Sequence, residues 1–169
     1  MDLDGLTRLI RRTAAATARP IVVGVSGYGG SGKSTLARAL VSRIDDAVRM
    51  RGDDFLDPVR SHRRSPDWDG VERNRLLAEV LLPFREQRES TFRRFDWSLR
   101  ALRDPEPVPS ASILIVDCIG LFHPETLDAL DLTAWCDVDL ATATERGIRR
   151  DAEPGRDHTS LWHNVWVPN

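Results

Sequence analysis

Cysteine is scarce in this chain: Cys118 and Cys136 are the only two among 169 residues. They form no C-x-x-C pair and lack metal-ligand spacing, which argues against a disulfide framework and a zinc site. Two buried free thiols of a reducing compartment are expected instead. His62, His123, His158 and His163 show no ligand spacing either. Long apolar runs are also missing. No stretch approaches the roughly 18 consecutive apolar residues of a membrane span, and the N-terminus lacks the charged-then-apolar layout of a signal peptide. No membrane partner and a cytoplasmic location are therefore expected. The formal net charge of −2 provides no basic field for nucleic acid. Internal repeats and low-complexity segments are absent. Arginine far outnumbers lysine, with clusters at residues 60–64 and 146–150, and its fork suits bidentate phosphate contacts. At this length one domain, residues 1–169, is expected; the oligomeric state stays open, a homo-oligomer included.

What is present is a phosphate loop. Gly27-Tyr28-Gly29-Gly30-Ser31-Gly32-Lys33-Ser34 fits G-x-x-x-x-G-K-[ST], between the β-branched run Ile21 to Val25 and a leucine-spaced helical stretch from Thr35 to Val41. Glycines at 27, 29, 30 and 32 would allow positive φ and bring backbone N–H groups close to an anion. The N-terminus of the following helix adds free amides and a favourable dipole. Lys33 would reach the β- and γ-phosphates of a nucleotide, and the Ser34 hydroxyl would ligate Mg²⁺. Residues 27–34 with Thr35 are thus the candidate site for ATP.

The rest of the chain alternates strand-like and helix-like segments. Residues 3–18 carry a helical apolar stripe closed by Pro20, and Ala47 to Met50 is a weak second strand. Asp57 to Asp69 reads as a long functional loop, Val71 to Phe84 as an amphipathic helix, and Thr91 to Trp97 as an aromatic, basic segment. Ile113 to Asp117 is the clearest buried strand, Leu132 to Asp137 a further one, and Asp139 to Arg150 a carboxylate-capped helix. This order predicts an α/β fold of the P-loop NTPase type, a parallel sheet with helices on both faces.

Ligands of open α/β sheets bind beyond the carboxyl ends of the strands, so the acids there belong with the loop. Asp117 closes its strand and would hold Mg²⁺ directly or through water. Asp53, after the second strand, could take a proton from an acceptor hydroxyl; its neighbour Asp54 is the competing choice.

With these residues in hand, the chain resembles the uridine kinase and phosphoribulokinase family of P-loop kinases. Gly24 to Thr35 is similar to that family's nucleotide loop, and Asp53-Asp54-Phe55 to its Asp-x-Phe segment, which implies Asp53 as base and Phe55 beside the acceptor. Arg94-Phe95-Asp96-Trp97 resembles its Tyr-Asp-aromatic segment, implying Phe95, Asp96 and Trp97 at the acceptor; Arg100 stands where uridine kinases carry a pyrimidine-binding His. Ile113 to Phe122 resembles the strand ending in Glu-Gly-Ile, with Asp117 in place of Glu. Asp137 to Asp157 resembles the family's lid, about residues 146–160, implying Arg146 on the nucleotide, Arg150 in phosphoryl transfer and Arg156 toward the acceptor, with Arg149 alongside. The resemblance also implies a further strand and terminal helix beside the adenine pocket, which these 169 residues are expected to lack.

The expectation is an ATP- and Mg²⁺-dependent kinase acting on a small-molecule hydroxyl, a nucleoside first. Pantothenate, a sugar phosphate or another metabolite would be the alternative acceptor. A nucleotide-dependent switch is the rival of another class: Asp117-Cys118-Ile119-Gly120 fits D-x-x-G, though no Asn-Lys-x-Asp follows.

Overall fold

The computed structural model describes residues 1–65, 67–96, 98–99, 101–152 and 159–167. Its centre is a parallel sheet of β1 (Ile21–Ser26), β2 (Ala47–Arg51), β7 (Ile113–Asp117) and β8 (Leu132–Trp135), in the order β2-β7-β1-β8. The pleat sends alternate residues to opposite faces. Val22, Leu114 and Val116 enter one core with Met50, Phe55 and Leu76. Ile21, Val23, Val25, Ile113 and Ile115 enter the other with Ile10, Ala37 and Leu40. Two apolar faces explain why β1 and β7 read as unbroken hydrophobic runs.

Helices α1 (Leu3–Ala16) and α2 (Lys33–Val41) cover the second face. The expected amphipathic helix forms over residues 73–85, as α3 (Arg73–Leu76), a π-helical stretch (Leu77–Leu81) and α4 (Leu82–Arg85) on the first face. The aromatic, basic segment becomes short strands β3 (Thr91–Phe92) and β4 (Phe95–Asp96), which pair antiparallel with β6 (Glu106–Pro107) and β5 (Ala101–Leu102) respectively. A short helix, α5 (Pro124–Leu127), precedes β8, and α6 (Leu140–Asp151) follows it, capped by the Asp139 carboxylate on Thr142 N at 2.8 Å. The last described turn is α7 (Thr159–Leu161) running into a π-helical stretch, Trp162–Trp166.

Two sequence expectations change. β8 is an edge strand rather than a buried one, because among the described residues its outer side has no strand neighbour, and Trp135 is exposed. Cys136 is only half-buried, whereas Cys118 is buried with its thiol pKa pushed up to about 12 by desolvation. No described helix is long and apolar enough to cross a membrane.

Candidate active site

Register builds the site. β7 lies between β1 and β2, and Asp117 stands level with Val25 on one side and Arg51 on the other. The glycine loop leaves β1 just past Val25, and the turn bearing Asp53 leaves β2 just past Arg51. Three strand ends therefore deliver loop, acid and candidate base to one edge, as open parallel sheets do.

The loop itself is held from above. Gly30 has φ +80°, and a Cβ there would meet the Ala143 carbonyl oxygen of α6 at 2.0 Å, so conformation and contact both require glycine. Gly29 has ordinary φ; the indole of Trp162 lies against it instead, which corrects the expectation that all four loop glycines serve positive φ. Leu36 N is the first α2 amide in a helical bond, to Gly32 O at 2.9 Å. The amides of Lys33, Ser34 and Thr35 precede it without intrahelical acceptors, the arrangement that binds anions at a helix start.

Lys33 Nζ donates to Tyr28 O at 2.8 Å. Burial pushes its pKa down, against an opposing pull from Asp53 and Asp117. The Ser34 hydroxyl donates to Asp117 Oδ2 at 2.6 Å. Arg49, which the sequence reading passed over, clasps the same carboxylate through Nε at 2.5 Å and Nη2 at 2.7 Å. A hard hydroxyl paired with a carboxylate at the foot of a glycine loop fits Mg²⁺. Among the described residues no group of three or more His, Cys, Asp or Glu could hold a metal, so phosphate and water would supply its remaining oxygens.

The two acids of the following turn part ways. Asp53 is exposed, 3.8 Å from Arg51, and its charge bears on both Lys33 and Arg150. Asp54 points inward, buried, 3.4 Å from Arg94; desolvation raises its pKa, against the arginines and with Asp53 adding to the rise.

Arg150 projects from the last turn of α6, and its pKa is raised chiefly by the Asp151 carboxylate it grips at 2.7 and 3.1 Å. Asp151 also accepts Trp162 Nε1 at 2.9 Å. Arg146 is exposed on α6, and Tyr28, Ser31 and Thr35 lie along the loop and the first turn of α2.

Two of the aromatics expected at the acceptor are enclosed by packing. Phe55 is fully buried, stacked on Phe92 at 5.8 Å beneath the Arg75 guanidinium, and Phe95 is buried as well. Each lies on the inner side of its turn or strand, where burying a ring outweighs presenting it. Asp96 is engaged inside its own hairpin: it accepts from Ser98 N at 2.9 Å, the Ser98 hydroxyl at 2.5 Å and Arg103 Nε at 2.8 Å. Those bonds, Ser98 foremost, hold its pKa well below the usual carboxylate range. Trp97, Arg100 and Arg156, with Gly155, Asp157 and His158, lie outside the described residues.

Sequence reasoning also missed Arg73, which is buried and donates to Gly120 O at 2.9 Å and to Asp67 O, stapling the long loop to the turn after Asp117. Its only sequence signal was position, an arginine at the start of an apolar helical stripe.

No family model matches the chain. It is 28% identical over 148 residues to a uridine kinase of Leuconostoc citreum, covering 80% of this chain and 70% of that protein. It is 26% identical over 168 residues to a uridine kinase of Saccharomyces cerevisiae, covering 89% of this chain and 33% of that protein. Among solved structures, a putative fructose transport system kinase from a Silicibacter species superposes with TM-score 0.79 at 19% identity, over 100% of this chain and 92% of that one. A possible uridine kinase from Bacillus stearothermophilus superposes with TM-score 0.65 at 16% identity, over 99% and 95%. The chain thus resembles uridine kinases in sequence along most of its length and shares the fold of these kinases, the three-layer P-loop architecture expected.

Proposed function

We propose that the chain is an ATP-dependent kinase that transfers the γ-phosphoryl group to a hydroxyl of a small molecule, with a nucleoside as leading acceptor. The similarity to uridine kinases supports a kinase of this kind. The observation that carries the reading is the convergence at one sheet edge of the glycine loop, the Ser34–Asp117 pair at 2.6 Å and the exposed Asp53 carboxylate.

In this reading the loop amides and Lys33 hold the phosphates, and Ser34 with Asp117 would hold Mg²⁺, which neutralises charge on the transferring group when bound. Asp53 accepts the proton of the acceptor hydroxyl. Its exposure suits contact with an incoming ligand, and its rival Asp54 is withdrawn into the protein. Arg150, within electrostatic reach of Asp53, offsets phosphoryl charge, with Arg146 and Arg156 as further lid cations. Trp97 and Arg100 remain candidates for the acceptor side.

One observation keeps a second acceptor class in view. The rings of Phe55 and Phe95 are buried and the Asp96 oxygens engaged, and the superposing Silicibacter protein is a putative fructose transport system kinase. Pantothenate, a sugar or a sugar phosphate is the alternative. Mg²⁺-dependent ATP consumption, screened across nucleosides, pantothenate, sugars and sugar phosphates, tests both readings. Turnover with one class identifies the acceptor. No transfer to any hydroxyl compound, with nucleotide still bound, would instead favour a nucleotide-dependent switch. Asp53→Asn is expected to abolish transfer while leaving ATP affinity nearly intact.

A further inference from the structure

Asp117 is almost entirely enclosed, with 4% of its side chain exposed, and its charge is already met. Arg49 lies on the edge strand β2, one pleat below Arg51 and on the same face. From there its planar fork reaches up to both carboxylate oxygens, at 2.5 and 2.7 Å, with 18% of its own side chain exposed. Oδ2 also receives the single Ser34 hydroxyl proton, at 2.6 Å. The acid is therefore clamped between a fixed cation and the hydroxyl that faces the phosphate loop. A Ser whose proton is committed to a carboxylate turns its lone pairs elsewhere, and those lone pairs are what a metal takes.

We propose that Arg49 is the resident counter-cation of this acid: a positioning residue that acts through Asp117 to orient Ser34 and sets how far nucleotide binding depends on Mg²⁺. The inference rests on the kinase reading of the site. A bidentate guanidinium neutralises Asp117 before any ligand arrives. A metal-free polyphosphate then meets no unpaired negative charge beneath the loop, while a divalent cation meets an acid whose field is already offset. Removing the guanidinium should push these two affinities in opposite directions, a pattern that general loss of structure does not produce.

The test is calorimetric titration of a non-hydrolysable ATP analogue, in EDTA and across a Mg²⁺ series, with wild type, Arg49→Met and Arg49→Lys. In Arg49→Met, affinity for the metal-free analogue is expected to fall about tenfold, or about 1.4 kcal/mol. The Mg²⁺ concentration that half-restores tight binding is expected to fall severalfold. Arg49→Lys keeps the charge but not the two-point clamp, and should fall between wild type and Arg49→Met on both measures. Arg49→Gln, neutral but polar, carries the same expectation should the Met variant not fold. Metal-free and Mg²⁺ titrations that shift together, or not at all, in the neutral variants overturn the proposal. Wild type that binds the analogue in neither condition refutes the kinase reading itself, whereas bound wild type with unshifted variants refutes only the role of Arg49.

Discussion

Trp162 rests on Gly29: a methyl group added to that glycine would meet the indole Cη2 at 2.9 Å and Cζ3 at 3.1 Å. The same ring lies over Gly147 of α6 and donates its N–H to Asp151. One buried indole thus joins the glycine loop, α6 and the last described turn, and Trp166 extends that turn to the long loop through Ser61 O at 3.3 Å.

Trp162→Ala should therefore cost about 3 kcal/mol of stability, at the lower end of the usual range for a core tryptophan. It should also weaken nucleotide binding, because the loop loses the surface that fixes its shape. Urea unfolding with and without nucleotide measures both. Loss of stability with unchanged affinity would separate the indole from the loop.

Gly30 and Gly32 permit a cleaner comparison. Both have positive φ, +80° and +98°, but a Cβ at Gly32 meets nothing within 4 Å, whereas one at Gly30 meets α6 backbone at 2.0 Å. Gly32→Ala should lose only the left-handed backbone cost, about 1–2 kcal/mol. Gly30→Ala should lose that and about 1–3 kcal/mol more from overpacking. Equal losses in denaturant melts would mean that α6 does not seat on the loop.

Asp54 gives a pH signature. Its pKa is raised by burial above the ordinary 3.8, so the folded state holds its proton more tightly than the unfolded chain does. The stability this contributes is present at acid pH and lost as pH rises through the folded pKa. Asp54→Asn has no such titration. Its Tm relative to wild type should become more favourable as pH climbs from about 4 toward neutrality, and a flat difference would count against the buried carboxylate.

Lys33 is the sole lysine in the chain, and burial lowers its pKa below the ordinary 10.5. Affinity for nucleotide should accordingly decline with rising pH before an ordinary lysine would titrate, since the free protein surrenders that charge early. An amine-acylating reagent followed by mass spectrometry should find Lys33 protected by MgATP. Equal modification with and without nucleotide would remove Lys33 from the phosphate site.

Much of this was legible in the chain because it is local. The glycine spacing, the strand before it and the helix after it are fixed by contiguous residues, and β1 and β7 announce burial on two faces through unbroken apolar runs. Helix α6 announced its start through the Asp139 cap. Their places after strands, and then the resemblance, could name Asp53 and Asp117, but not what surrounds them.

Contacts across long sequence separations were not legible. Arg49 meets Asp117 because β2 and β7 pair in a particular register; the alternation Val48, Arg49, Met50, Arg51 puts both arginines on one face, yet says nothing of the acid beside them. Packing encloses the rings of Phe55 and Phe95, and Leu132 to Trp135, which reads as a buried strand, forms a sheet edge among the described residues. The sequence alone determined which segment can cradle phosphate and which residue types can serve it, since those depend on local backbone freedom and side-chain chemistry. Only the tertiary structure decided which acid is clamped, which lies open and what presses on the loop, because strand register and helix docking set distances that no local pattern encodes.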